Sequence, residues 1–339
     1  MKYLTIPPTY KLNKKITQLI AEIEANKAVI DSIDIPLALE QNIRRQSILG
    51  SAIFSARVEG NPLTTGEIQS FSDLAAKDQK RLEIANLYRI IEHICSKMPN
   101  IDKKINISQI LRWHSQAMKN ILSEVHLGKI RTEHEGLFDM AGNAIYHAPP
   151  PYAVKALLID LLHYANTKRE RIVPIKAIVS HLVFEKIHPF TDGNGRVGRL
   201  LQLAVLTNNG YGMKGLSAIE EYIDNNRQDY YRAIESSVGI NCQSFIELML
   251  EFLRDSSEKA RVNIQQKIKN SSKLDLLLPR HRELVQIISE HKSVTFDFLH
   301  RRFLKISPRQ LAYDLTSLIK SGYIKKIGVT RGAMYTIPS

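Results

Sequence analysis

His188-Pro189-Phe190-Thr191-Asp192-Gly193-Asn194-Gly195-Arg196-Val197-Gly198-Arg199 lies where two apolar, helix-periodic segments, 174–187 and 196–209, meet. A helix ending near Ile187 delivers His188. The Gly193-Asn194-Gly195 turn then leads into a second helix that starts about Arg196. Glycines let backbone N–H groups turn inward as an anion-binding nest, and the helix N-terminus behind them adds the positive end of its dipole. Arg196 and Arg199, three residues apart, share one side of that first turn, where both reach phosphate oxygens. Asp192 offers a carboxylate for Mg²⁺, which favours one or two carboxylates together with phosphate. His188 stands where an imidazole accepts a hydroxyl proton. Singly, a histidine at a helix end or a Gly-x-Gly turn is commonplace. Eight specified positions together arise by chance on the order of 10⁻¹⁰ per start position.

Working outward, the chain reads as mainly α. Apolar residues recur three and four apart over 11–31, 37–59, 82–98, 107–121 and 153–166. Gly60-Asn61-Pro62 stops the second of these with a left-handed C′ residue and a proline. Thr64-Thr65-Gly66-Glu67 fits a capping box and predicts another helix from Thr64. Residues 136–146 break the pattern: two short strands around a turn at Gly142-Asn143, ended by Pro149-Pro150-Pro151. A lone hairpin is unstable in water, so this one must lie against the helical body, where it can serve as a flap.

After about residue 272 the character changes. Two short helices are expected over 281–290 and 295–304, and a third opens at Ser307-Pro308-Arg309-Gln310, with Ser307 as N-cap and Pro308 at N1. Gly322 ends it, and strand-like 323–327 and 334–337 flank a turn with Arg331-Gly332. Three helices and a two-stranded wing make a winged-helix pattern. The expected organisation is a helical region over 1–100, a core over 101–245, a helical linker over 246–272 and a winged helix over 273–339.

A chain of 339 residues with net charge +13 and pI near 9.6 has an ordinary globular composition. The basic balance suits an anionic partner (nucleotide, nucleic acid or acidic protein), or is simply a solvated surface. Cys95 and Cys242, both among helix formers, argue against a disulfide framework or a cysteine-based zinc site. His181 and His188 are seven apart rather than four, and His114, His126, His134 and His147 are scattered, so structural roles are expected. Trp113 is most simply core. The proline-broken N-terminus lacks a signal-peptide core, and no apolar run approaches the ~20 residues that span a bilayer. A cytoplasmic protein without membrane contact is expected.

The quoted segment resembles, in full, the His-x-Phe-x-[Asp/Glu]-Gly-Asn-Gly-Arg-x-x-Arg pattern of the Fic family. The resemblance implies a helical domain with a hairpin flap and ATP-dependent AMP transfer to Ser, Thr or Tyr of a protein, a target or the chain itself. It implies His188 as general base and Asp192 as Mg²⁺ ligand. Gly193, Asn194, Gly195 and Arg196 would hold the α- and β-phosphates, Val197 and Gly198 would belong to the same phosphate-binding set, and Arg199 would reach the γ-phosphate. Doc kinases carry Lys where this chain has Gly195, so AMP transfer fits better. Ser55-Ala56-Arg57-Val58-Glu59-Gly60 resembles the family's inhibitory helix, which implies that Glu59 pairs with Arg199 in place of the γ-phosphate.

Gly136, Leu137 and Phe138 resemble the family flap, although Glu135 stands where that flap is usually apolar. Tyr222–Tyr231 resembles the helix beside the adenine pocket. Asn226, Tyr230 and Tyr231 are nucleoside candidates there, or partly buried packing residues. Two further readings stay open: a DNA-binding winged-helix regulator whose Fic domain senses nucleotide, and a Fic enzyme that removes AMP through Glu59. A homodimer is a further possible assembly. The tail is either a DNA-binding module, with Arg309 near bases and Lys325, Lys326 and Arg331 on phosphates, or a protein-interaction module.

Overall fold

A computed structural model describes residues 4–338 apart from 76–77, 97–103, 139–143, 169, 238–240, 271–273, 275–276 and 329–332, with backbone alone for 75, 136–138 and 144–147. The chain runs through α1 (Lys14–Ser32), α2 (Leu37–Val58), a 3₁₀ turn (Phe71–Ala75), α3 (Gln79–Cys95) and α4 (Ile107–Ala117). A hairpin of β1 (Gly136–Phe138) and β2 (Ala144–His147) follows. Then come α5 (Pro151–Asn166), α6 (Val173–Ile187), α7 (Asn194–Asn208), α8 (Glu220–Asn225), α9 (Arg227–Ser236) and α10 (Gln243–Lys269). The C-terminal unit holds α11 (Pro279–Glu290), β3 (Ser293–Thr295), α12 (Phe296–Arg302), α13 (Pro308–Lys320), β4 (Lys325–Ile327) and β5 (Met334–Thr336).

α6 is buried on every side, with Ile175, Ala177, Ile178, Val179 and Phe184 all fully enclosed. A helix apolar all round belongs at the centre of a domain, and α5, α7 and α10 pack around it. Side-chain caps set the starts of α1, α4 and α3. Asn13 accepts from the Ile16 N–H at 2.8 Å, Asn106 from Gln109 at 2.9 Å and Asp78 from Arg81 at 2.9 Å. α2 ends as its sequence dictates. Gly60 (φ 95°) donates to the Arg57 carbonyl at 2.9 Å and Asn61 to the Ala56 carbonyl at 3.1 Å, a Schellman closure that leaves Glu59 at the cap.

Four expectations change. No helix begins at Thr64. The Thr64 N–H and hydroxyl both bond the Glu67 carboxylate, closing one turn that goes no further before the 3₁₀ turn. Residues 246–272 belong mostly to α10, which packs along α1 and buries Met249, Leu253, Ala260 and Ile264 in the main core, so they are not a separate linker. The C-terminal sheet has three antiparallel strands in the order β3-β5-β4 rather than two, because Ser293-Val294-Thr295 pairs with Met334–Thr336. The Tyr222–Tyr231 stretch is two helices, broken at Asn226 (φ −126°, ψ 37°). Elsewhere the structure follows the pattern. Ser307 caps α13 by accepting from Gln310 at 3.2 Å, with Pro308 in its first turn. The turns at Gly142-Asn143 and Arg331-Gly332 lie outside the described residues.

A second core, built on Leu284, Ile288, Leu299, Leu311, Leu315 and Leu318, holds the C-terminal unit together. It touches the body through α11 and α2. Arg45 pairs with Glu283 at 2.6 Å, and Asn42 donates to the Leu277 carbonyl at 2.6 Å. Among the described residues no helix is long and apolar enough to cross a membrane.

Candidate active site

α6 ends on His188, whose left-handed backbone (φ 47°, ψ 63°) turns the chain out of the helix while its N–H still bonds the Phe184 carbonyl at 3.0 Å. The ring Nδ1 lies 3.3 Å from the Glu185 carbonyl and so carries the proton, which leaves Nε2 as an acceptor with no partner among the described residues. Burial pulls the imidazole below its usual range, against the Glu185 carbonyl and the charges of Glu135 and Glu59, which raise it. A neutral ring with an open Nε2 is what a general base requires.

The turn after it is fixed by its own side chains. Asn194 Oδ1 accepts from the Phe190 N–H at 2.9 Å and Asn194 Nδ2 donates to the Phe190 carbonyl at 2.8 Å. The Asn194 side chain therefore clamps the loop, and only its backbone N–H is left to face a ligand. Gly193 (φ 83°) is the N-cap of α7. A Cβ there would fall 2.9 Å from Met118 Sδ, so glycine is required for both conformation and space. The N–H groups of Asn194, Gly195 and Arg196 have no upstream helical carbonyl, as in any first turn, and form an anion-binding end.

Both arginines are buried with their charges engaged. Arg196 donates to Glu83 Oε1 and to Asp192 Oδ1, each at 2.6 Å, and its Nε has no partner among the described residues. The Asp192 side chain is 51% exposed. Arg199 donates from Nε to the Ser55 hydroxyl and from Nη2 to the Ser55 carbonyl and Glu59 Oε1, all at 2.9 Å, while Nη1 is unpartnered among the described residues. Glu59 does more than pair. A Cβ on Gly195 would fall 2.1 Å from Glu59 Oε1, so this carboxylate lies directly on the first turn of α7. Val197 is buried core, and Gly198 leaves room for Glu185 and His181 behind the arginine.

Of the nucleoside candidates, Tyr230 is corrected. It is 1% exposed and its hydroxyl lies 2.7 Å from His181 Nε2, which makes it a packing residue behind Arg199. Tyr231 is 43% exposed, with its hydroxyl 3.3 Å from the Val58 carbonyl at the end of α2. Asn226 turns its side-chain amide onto the Tyr222 carbonyl at 2.8 Å. For the flap, the backbone of Gly136, Leu137 and Phe138 pairs antiparallel with residues 144–147.

Several residues of the site carry no local sequence signal. Arg131, buried outside any helix, donates from Nε to the His188 carbonyl at 2.7 Å, from Nη1 to Glu133 at 2.7 Å and from Nη2 to Pro149 at 2.6 Å. One guanidinium thus ties both ends of the hairpin to the residue that carries the imidazole. His114 stacks on Phe190 (3.8 Å between ring centres, 9°), accepts from Gly128 N–H at Nδ1 and donates from Nε2 to the Asp192 carbonyl at 3.0 Å. Burial lowers it to about 4, so it is a neutral strut.

Glu185 is the least expected. Its Oε1 is buried and, among the described residues, unpartnered, 3.8 Å from His181 Nδ1, and burial together with the Glu59 charge pushes its carboxyl up to about 8 against the pull of Arg199. A glutamate in the unfolded chain ionises near 4.5, so native Glu185 keeps its proton up to about pH 8. Its burial costs nothing below 4.5, and the cost grows until the pH passes about 8. Glu185→Gln should therefore gain unfolding free energy over the parent as pH rises from 5 to 8, by an amount on the order of a few kcal/mol at the upper end, read by denaturant melts at each pH. A difference constant across that range would contradict the assignment.

Three comparisons bear on this arrangement. Residues 104–206 match the Fic/DOC family. A probable protein adenylyltransferase of Aquifex aeolicus is 41% identical over 80 residues, covering 24% of this chain and 25% of that protein. The protein adenylyltransferase Fic of Aedes aegypti is 25% identical over 232 residues, covering 61% of this chain and 44% of its own. This chain thus spans less than half the length of either relative. Among solved structures, a Fic family protein from Desulfovibrio desulfuricans G20 aligns over 98% of both chains with TM-score 0.63 and 22% identity. Fic-1 from C. elegans aligns over 76% of this chain and 74% of that one with TM-score 0.59 and 19% identity. At such identities the structures speak for the fold alone.

Proposed function

We propose that this chain, which carries a Fic/DOC-family domain, moves AMP from ATP onto a hydroxyl of a target protein or of itself and is held back by Glu59. The observation that carries this reading is the neutral imidazole of His188, with Nε2 free, beside a helix N-terminus lined by Gly193 and Gly195 and backed by two buried arginines.

In this reading His188 Nε2 takes the proton of the incoming hydroxyl, whose oxygen attacks the α-phosphorus. The bond from that phosphorus to the bridging oxygen breaks, and pyrophosphate leaves. The N–H groups of the α7 first turn and the Arg196 guanidinium hold phosphate oxygens, and Arg199 takes the γ-phosphate once Glu59 withdraws. Positioning and charge stabilisation then supply most of the rate. The half-exposed Asp192 carboxylate beside this turn fits the donor set that Mg²⁺ takes alongside phosphates, and the metal would neutralise charge on the leaving pyrophosphate. Tyr231 and Asn226 remain the nucleoside contacts, and the flap would align the target backbone by strand addition.

ATP labelled at the α-phosphate and ATP labelled at the γ-phosphate, each incubated with the protein and cell extract, test the reaction. Protein-bound label from the α position alone is expected. Label from the γ position would mean phosphoryl transfer and would overturn the reading. We also take the C-terminal unit as a winged helix suited to duplex DNA. The α13 face with Arg309, Tyr313, Thr316 and Lys320 is exposed, as are Lys325 and Lys326. Gel shifts that weaken steeply with salt are expected; no shift at low salt would remove this part.

A further inference from the structure

Between the body and the C-terminal unit lies a cavity of about 810 Å³, within the range of small-molecule sites. Its walls come from the 3₁₀ turn, α3 and the segment after α12, with Phe71, Leu74, Leu82, Phe303 and Ile306 as apolar lining. Leu304, at its edge, is 74% exposed, although it stands beside this apolar surface.

The charge lining is one-sided. Arg45, Arg89, Arg280, Arg302 and Lys305 face Glu283 as the single carboxylate among the lining residues. Two of the cations are spent: Arg45 on Glu283 at 2.6 Å, and Arg280 on Asp314 at 2.5 Å. Among the described residues the other three have no carboxylate within ion-pair distance. Arg89 gives one bond to Asn86 at 3.3 Å and lies over the Phe71 ring, and Arg302 meets His291 at 3.2 Å and lies over the Phe298 ring. Guanidinium groups held over aromatic faces beside an apolar floor suit an anionic head on an apolar body.

We infer that this cavity binds a small amphipathic anion, with its carboxylate or phosphate on Arg89 and Arg302 and its apolar part on Phe71, Phe303 and Leu304. The inference does not depend on AMP transfer. One wall includes Arg45 of α2, the helix that also carries Ser55 and Glu59, so an occupant would bear on that helix.

Titration calorimetry of the full chain with 1-naphthyl phosphate, 1-naphthoate and the uncharged 1-naphthol tests it. Both anions should bind saturably at one site, about tenfold or more tighter than the naphthol, as loss of a charge-assisted bond implies. Comparing the two anions distinguishes a phosphate head from a carboxylate. Arg89 and Arg302 are both exposed, so Arg89→Ala/Arg302→Ala should fold like the parent and lose the preference for anions. Equal binding of the three probes, no saturable binding, or anion binding unchanged in the double variant (as it would be if the probe sat on the α7 turn) would each overturn the inference.

Discussion

Replacing His188 with alanine should lower AMP transfer by about 10²–10⁴-fold or more, the range seen when a positioned general base is lost. The scaffold survives the change. The interactions that place residue 188 are made by its backbone: its N–H to Phe184, its carbonyl to Arg131 Nε at 2.7 Å. Asparagine is a useful second replacement because it tolerates the positive φ of this position. Both variants should keep nucleotide binding, since the phosphate contacts lie on α7. Undiminished label transfer in either would remove His188 from the reaction.

The Glu59→Gly exchange should act in the opposite direction. Its carboxylate lies on Gly195 and holds Arg199 Nη2 at 2.9 Å, so an anion arriving at the α7 turn has to displace it. A charge-assisted contact of this kind is worth about 1.5–3 kcal/mol, which corresponds to a rise of about 10- to 100-fold in AMP incorporation. The exchange also leaves a buried guanidinium short of its carboxylate. Without nucleotide the variant should melt below the parent, and ATP with Mg²⁺ should restore more of its stability than it adds to the parent. Equal incorporation by variant and parent would end the inhibitory reading.

How much of this was legible depended on the range over which each signal acts. The α6–turn–α7 arrangement and the end of α2 are local, set by apolar periodicity, by Gly60 and by Gly193, and the structure forms them where the residues indicate. The Glu59 contact to Arg199 spans 140 positions and follows only from resemblance to a family, while the Ser55 contacts to the same guanidinium, 144 positions apart, are seen only in the structure. Arg131 and Glu185 were invisible. An arginine in irregular chain reads as solvated, and a glutamate one turn before a helix end reads as surface, until packing shows one tied to both flanks of the hairpin and the other with its Oε1 buried near Arg199. Tyr230 misled for the converse reason. Paired tyrosines have no periodicity that says which one faces inward, and His181, 49 positions away, decides it. The Thr64 capping box closes only by half: Glu67 accepts from the Thr64 N–H, but the Thr64 hydroxyl donates to the same carboxylate and the Glu67 N–H goes to the Thr64 carbonyl instead of that hydroxyl.

A crystal structure of the Glu59→Gly protein with ATP and Mg²⁺ bears most directly on the whole account. The phosphates should rest on the amides of residues 194–196, with His188 Nε2 turned toward the α-phosphorus and Arg199 on the γ-phosphate. Nucleotide bound elsewhere, or phosphates on this turn with the imidazole facing away from them, would contradict it.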